Sequence, residues 1–183
     1  MREDTTTNKA FFAASKFNSK CYVGAEMVVS QILKTKAAMV TGLSLNWVLN
    51  HKYVVSAKYH LLTTPVNIQS FVRPDYPAET YNITHHFAGL GFSYLLFPDK
   101  KFSFQPELAA GWGVVKYDYI TEKRRKDFAV IIPAVYGVWN AHKYFRMGVG
   151  LNYRATAGAK LSGLKDGDLS GVGGIVFFRV GTF

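Results

Sequence analysis

At 183 residues, with 22 basic side chains against 12 acidic ones, the chain suits a single domain carrying an excess of 22 − 12 = +10, which fits an anionic partner such as nucleic acid, lipid phosphate or acidic glycan. No run approaches the roughly 18 apolar residues of a membrane helix, so a helical membrane protein is excluded, and the lone Cys21 excludes an intramolecular disulfide and a cysteine-based zinc spacing. Aromatics at 15% beside 16 glycines favour strands joined by tight turns, which makes the class all-β.

The first twenty residues, "MREDTTTNKAFFAASKFNSK", lack the charged, apolar and small-residue regions of a signal peptide. They read as a flexible N-terminal tail (1–20) on a mature chain with an added Met1, ahead of one domain over 21–183. From Tyr22 the chain alternates. Val23, Ala25, Met27 and Val29 lie on one face, and Tyr22, Gly24, Glu26, Val28 and Ser30 on the other. After "KTK", Thr41, Leu43, Leu45, Trp47 and Leu49 oppose Val40, Gly42, Ser44 and Asn46. "NHK" makes a short turn, and Val55, Ala57, Tyr59 and Leu61 alternate with Ser56, Lys58 and His60. Asn67 to Ala78, with Pro74 and Pro77, reads as a loop.

The second half repeats the scheme. Ala88, Leu90, Phe92, Tyr94 and Leu96 face away from Gly89, Gly91 and Ser93, and "PDKK" turns the chain. Phe102, Phe104, Leu108, Ala110, Trp112 and Val114 oppose Ser103, Gln105, Glu107, Ala109, Gly111 and Gly113. The charged segment "TEKRRK" interrupts before an apolar strand from Phe128 to Trp139. "NAHK" then leads into "YFRMGVGLNYRA", and a glycine-rich loop precedes "GVGGIVFFRVGTF". About eight strands with short links predict an antiparallel up-and-down barrel. Short connections at Asn50, Pro98 and Asn140 alternate with longer ones at Asn67, Thr121 and Gly158, only the "KTK" link breaking the pattern, as in barrels with short periplasmic turns and longer external loops. Both termini then lie on the short-turn side.

Which face meets solvent follows from the glycines. Gly24, Gly42, Gly89, Gly91, Gly111, Gly113, Gly148 and Gly150 all share the polar set. A water-facing surface has no need of them, whereas the lumen of an eight-stranded barrel has room only for side chains that fill it. The apolar set therefore faces lipid, and the fold expected is an eight-stranded transmembrane β-barrel. On the glycine face, Glu26, Lys58, Glu107, Arg146 and Arg179 are expected to form one layer of two acids and three bases, since burying them singly is costly. Trp47, Tyr59, Tyr94 and Trp112, with Phe97 and Phe102, are expected to anchor the membrane interfaces. Pro106 and Pro133 within strands predict bulges, because proline cannot donate to a ladder.

"GLKDGDLSGVGGIVFFRVGTF", "SLNWVLNHKYVVSAKYHLL" and "NAHKYFRMGVGLNYRATAG" resemble the small outer-membrane β-barrel proteins of Bacteroidota, in the broad OmpA/OmpX-like group of porin-like barrels. The resemblance covers Tyr22 to Phe183. It implies the outer membrane of a Gram-negative bacterium, export through a removed signal peptide and insertion by the barrel-assembly machinery, with Phe183 as part of the assembly signal. Lipids and lipopolysaccharide are the partners it implies.

Chemistry is sparse. A lipid A-modifying enzyme needs a His beside Ser or Asp near the outer leaflet, and His85 and His86, with Thr84 or Ser70, are the candidates. A solvated histidine pair is the favoured reading, and no catalytic residue is assigned. Metal binding by His60, His85 and His86 lacks a carboxylate or cysteine at suitable spacing, and "GLKDGDLSG" lacks the full ligand set of a calcium loop, so neither metal nor cofactor is expected. Lys123, Arg124, Arg125 and Lys126 in "EKRRKD" form a cationic loop able to neutralise lipopolysaccharide phosphates or an acidic polymer, with a solvated loop tip as the favoured reading. Nucleic acid is set aside, because the aromatics are committed to the lipid face. The expected function is a non-enzymatic structural or interaction module, an accessory subunit of a larger envelope complex. A narrow solute pore or ligand-binding barrel and the lipid A-modifying enzyme are the alternatives.

Overall fold

Period-two alternation becomes nine antiparallel strands and no helix in the computed structural model, which describes residues 20–33, 36–64, 66–70, 79–118, 123–160, 164–165 and 167–183. The proposed tail, residues 1–19 of it, lies outside the described residues. The strands are β1 (Lys20–Ile32), β2 (Lys36–Leu49), β3 (Tyr53–Leu62), β4 (Val66–Ser70), β5 (Glu79–Tyr94), β6 (Phe102–Asp118), β7 (Lys123–His142), β8 (Phe145–Ala157) and β9 (Gly171–Gly181).

β1 pairs with both β2 and β9 and β3 pairs with both β2 and β5, so the antiparallel ladder closes on itself into a barrel. β3 and β4 occupy one position in the wall. β3 pairs with the lower part of β5, from Tyr53↔Tyr94 to Leu61↔His86, and β4 continues the ladder from Val66↔Ile83 to Ser70↔Glu79. The barrel thus has eight strands around its wall. Between those segments a bulge is tied down by Met39, whose carbonyl accepts from the backbone N–H of Thr63 at 2.9 Å and of Thr64 at 3.3 Å. The expected loop from Asn67 therefore begins as strand.

A circuit of the ladder leaves β6 at Phe102 and runs through Trp139, Met147, Phe178, Ala25, Leu43, Tyr59 and Ala88. It returns to β6 at Trp112, 112 − 102 = 10 residues along the strand. Such a stagger belongs to strands tilted by about 35–45°.

The two faces divide as the alternation requires. Val23, Leu43, Leu90, Leu108, Trp112, Val149 and Leu151 point outward and are largely exposed, Leu90 at 67%. Tyr22, Glu26, Lys58, Glu107, Tyr136, Phe177 and Arg179 point inward and are buried. Lumen glycines make room for bulk from adjacent strands. A Cβ on Gly113 would stand 2.3 Å from the Phe128 ring, and one on Gly42 would stand 2.9 Å from the His60 ring.

Neither proline produces the expected bulge. Pro106 and Pro133 stay in register in the β6–β7 ladder. On its other side Pro106 lies one residue beyond the last β5–β6 pair, Ser93↔Glu107. Pro133 falls in a two-residue gap of the β7–β8 ladder, which resumes in unchanged register from Ile131↔Ala155 to Ala134↔Asn152. The missing N–H groups thus lie where the ladder is already open, and the β7–β8 register shifts only at Asn140/His142.

The short-turn end is stitched together. In the three-residue link between Leu49 and Tyr53, Asn50 and His51 have positive φ of 50° and 59° and are the central residues of a turn closed by Lys52 N–H donating to the Leu49 carbonyl at 3.2 Å. The carbonyl of Lys52 accepts from Leu95 N–H at 2.7 Å, that of Lys101 from Asn140 N–H at 2.9 Å, and that of Tyr144 from Gly181 N–H at 3.1 Å. Lys20 and Phe183 meet at the same end through a hydrogen bond from Lys20 Nζ to the Phe183 carbonyl.

Candidate functional site

Three strands bring opposite charges to one level of the lumen. Lys58 Nζ on β3 stands 3.1 Å from Glu26 Oε1 on β1 and 2.6 Å from Glu107 Oε1 on β6. It also donates to the Tyr136 hydroxyl at 3.2 Å, and that hydroxyl donates back to Glu107 Oε1 at 3.1 Å. One ammonium therefore bridges two buried carboxylates, and a phenol closes the ring. Beside it lies a cavity of about 10 Å³, lined in part by Glu26, Lys58, His60, Glu107, Tyr136 and Asn152. That is room for about one water molecule.

Two of the five residues expected in this layer stand elsewhere. Arg179 is fully buried on the side of the short turns, where it hydrogen-bonds Gln105 and lies over the Phe177 ring at 4.1 Å. Arg146 stands at the mouth, half-buried, with its guanidinium 4.1 Å from the centre of the Phe183 ring. The barrel's stagger separates positions that counting along the strands places together.

A second cluster fills the lumen towards the longer connections. Arg154 is buried, donating from Nε to the carbonyl of Leu169 at 2.7 Å and from Nη2 to Ser30 Oγ at 3.3 Å. Ala159, Leu164 and Leu169 of the β8–β9 connection are buried with Phe128 and Val130, and Leu33 N–H donates to the Asp168 carbonyl at 2.7 Å. From the expected glycine-rich loop, Leu164 and Leu169 thus enter the barrel mouth as part of an apolar stopper. His60 stacks on Phe87 with ring centroids 4.6 Å apart, and its Nε2 lies 3.8 Å from Glu26 Oε2.

His85 and His86 do not form a pair. His85 points inward, is buried, and has no hydrogen-bond partner among the described residues for either ring nitrogen, whereas His86 points outward near Tyr59. Thr84 is exposed on the face opposite His85. Among the described residues no group of three or more His, Cys, Asp or Glu could hold a metal ion.

The cationic run is not a loop tip. Lys123 to Asp127 open β7, and the ladder sets Lys126 opposite Val115 and Arg125 opposite Lys116, while Arg125 pairs with Asp127 at 3.5 Å. Trp47 and Tyr94 stand near the short turns, with Tyr53, Trp139 and Tyr144. Tyr59 and Trp112 lie further up the wall, Trp112 eleven residues into the 17-residue β6. Five large aromatics, Tyr22, Phe87, Phe128, Tyr136 and Phe177, face inward, so the aromatics are not all committed to the outer face.

No known protein family matches the sequence, and no curated protein matches it. Solved structures do. The chain resembles Neisserial surface protein A (NspA) with a TM-score of 0.64 at 10% identity, over 90% of this chain and 97% of that one. It resembles Ail, the attachment invasion locus protein of Yersinia pestis, with a TM-score of 0.53 at 15% identity in a complex with the heparin analogue sucrose octasulfate, over 90% and 97% of the two chains. The N-terminal β-barrel domain of Pseudomonas aeruginosa OprF gives a TM-score of 0.50 at 12% identity, over 87% and 96%. At such identities the likeness establishes the fold, a closed eight-stranded antiparallel barrel.

Proposed function

We propose that the chain is an integral outer-membrane barrel of a Gram-negative bacterium, without enzymatic activity, serving as a structural or interaction module and as an accessory subunit of a larger envelope complex. The observation that carries this reading is an apolar exterior wrapped around a filled lumen in which Lys58 bridges the buried carboxylates of Glu26 and Glu107. An outside rich in exposed Leu, Val, Phe and Trp would be an aggregation hazard in water and is at home in lipid. A lumen filled at Arg154 and Leu169 and bridged at Glu26, Lys58 and Glu107 argues against a solute path and leaves the rims and the outer wall for function. Membership of the Bacteroidota OmpA/OmpX-like barrels, and folding by the barrel-assembly machinery with Phe183 as part of the signal, belong to the same proposal. Extraction of the native protein in mild detergent, followed by mass spectrometry, tests it: stoichiometric recovery with other envelope proteins is expected, and recovery alone would remove the accessory-subunit role.

A second reading concerns the β6–β7 hairpin. Lys116 faces Arg125 across the ladder, and Asp127, paired with Arg125 at 3.5 Å, offsets only part of that charge, so the surplus favours a bound anion at the strands. Lipopolysaccharide phosphate is the anion proposed, and the sulfated ligand carried by Ail supports this class of chemistry for a barrel of this shape.

Against the enzymatic alternative, His85→Ala and His86→Ala are each expected to leave the mass profile of lipid A in expressing cells unchanged. A shifted mass that disappears with either substitution would restore catalysis.

A further inference from the structure

We infer that the short-turn rim is a docking ring for anionic phospholipid headgroups of the leaflet it faces; this rests on the membrane-embedded reading above. The three short turns carry Lys52, Lys100, Lys101 and Lys143, all exposed, against Asp99 as their one acid. These turns hang from different strand pairs, β2–β3, β5–β6 and β7–β8, so the lysines are spread along the rim rather than gathered in one patch.

Their height is fixed. Each lysine lies within a few residues of an exposed aromatic: Tyr53 beside Lys52, Phe97 and Phe102 around Lys100 and Lys101, Tyr144 beside Lys143. Lys143 Nζ stands 4.9 Å from the centre of the Tyr144 ring. Exposed aromatics at the edge of an apolar band mark the headgroup level, so ammonium groups one step beyond them stand at the phosphates. The backbone that presents them is rigid. The Lys52 and Lys101 carbonyls are held by Leu95 and Asn140, and Asn140 Nδ2 also donates to the Lys100 carbonyl at 2.6 Å. Cations held at a fixed depth on a stitched ring suit a planar sheet of phosphates better than a flexible soluble polyanion.

Tryptophan quenching by brominated lipid reads the two ends separately. Trp139 stands by the short turns and Trp112 far up the wall, so variants that lack Trp47 and keep only Trp139 or only Trp112 report on one end each. The protein is refolded into phosphatidylcholine vesicles containing a minor share of phosphatidylglycerol, with bromine on one lipid or the other. A lysine near an anionic surface contributes enough to enrich an anionic lipid about fivefold beside it. Trp139 should therefore be quenched in excess by brominated phosphatidylglycerol, and the excess should vanish in Lys52→Gln/Lys100→Gln/Lys101→Gln/Lys143→Gln. In case that variant does not insert, raising the salt to about 0.5 M should cut the wild-type excess, since screening shortens to a few ångströms.

Equal quenching of Trp139 by both lipids overturns the inference, as does an excess that survives the substitutions or the salt. Binding of soluble polyglutamate in place of that excess would assign the rim to an acidic protein partner instead. Quenching of neither tryptophan by either lipid would mean that the barrel is not in the bilayer, and the proposed function would fall together with this inference.

Discussion

Lys58→Met is expected to lower the stability of the barrel by about 3–5 kcal/mol, the cost of leaving buried carboxylates without their cation. Glu26 and Glu107 both lose their ion pair, and Tyr136 loses one of its two polar partners. Equilibrium unfolding by urea in detergent micelles measures the loss. Adding Glu26→Gln and Glu107→Gln to Lys58→Met should recover only part of it: the ring then holds no unpaired charge, but the buried Arg179 loses the carboxylates near it. A loss below about 1 kcal/mol in the single variant would mean that water screens the acids, which a filled lumen does not allow.

A charge on the outer wall should be as damaging as one missing from the lumen. Leu43 stands 61% exposed midway along β2, between Ala25 and Tyr59. Placed in hydrocarbon, Leu43→Arg is expected to cost about 2–4 kcal/mol in lipid vesicles. Ala37→Arg, near the far end of the same strand, should cost less than about 1 kcal/mol, because the penalty falls towards the interface. On a water-facing surface both changes would stay within about 0.5 kcal/mol. Urea unfolding of the two variants side by side therefore reads depth, and equal small costs would place the apolar wall against water or another protein rather than lipid.

How much of this was legible in the sequence depended on how each residue's position is determined. The face of a side chain is a local property with a period of two, so the inward placement of Glu26, Lys58, Glu107 and Arg179 could be read from alternation alone. Height in the lumen is not local. It depends on the ten-residue stagger, which only the closed ladder fixes, and this is why Arg146 and Arg179 do not share the level of Lys58. Tyr136 was missed for a different reason. Its strand, "FAVIIPAVYGVW", is apolar on both faces, so no polar set marked which side was in. Charge and proline misled at the hairpins: Val66–Ser70 and Lys123–Asp127 look like loop by composition, yet tall ribbons extend the ladder through them. The stopper formed by Leu164 and Leu169 was hidden in a glycine-rich segment, where two isolated leucines have no periodicity to betray them. Arg154 carried the one usable signal, a cation on the glycine-bearing face of β8 with no acid opposite it.

The sealed lumen is the claim on which the rest depends, and single-channel recording in planar lipid bilayers tests it most directly. The wild-type barrel is predicted to give no discrete current steps above baseline across moderate voltages, because the bridge at Glu26, Lys58 and Glu107 and the stopper at Leu169 block the path in series. Reproducible ohmic steps from the wild-type protein would contradict that account and make the barrel a pore.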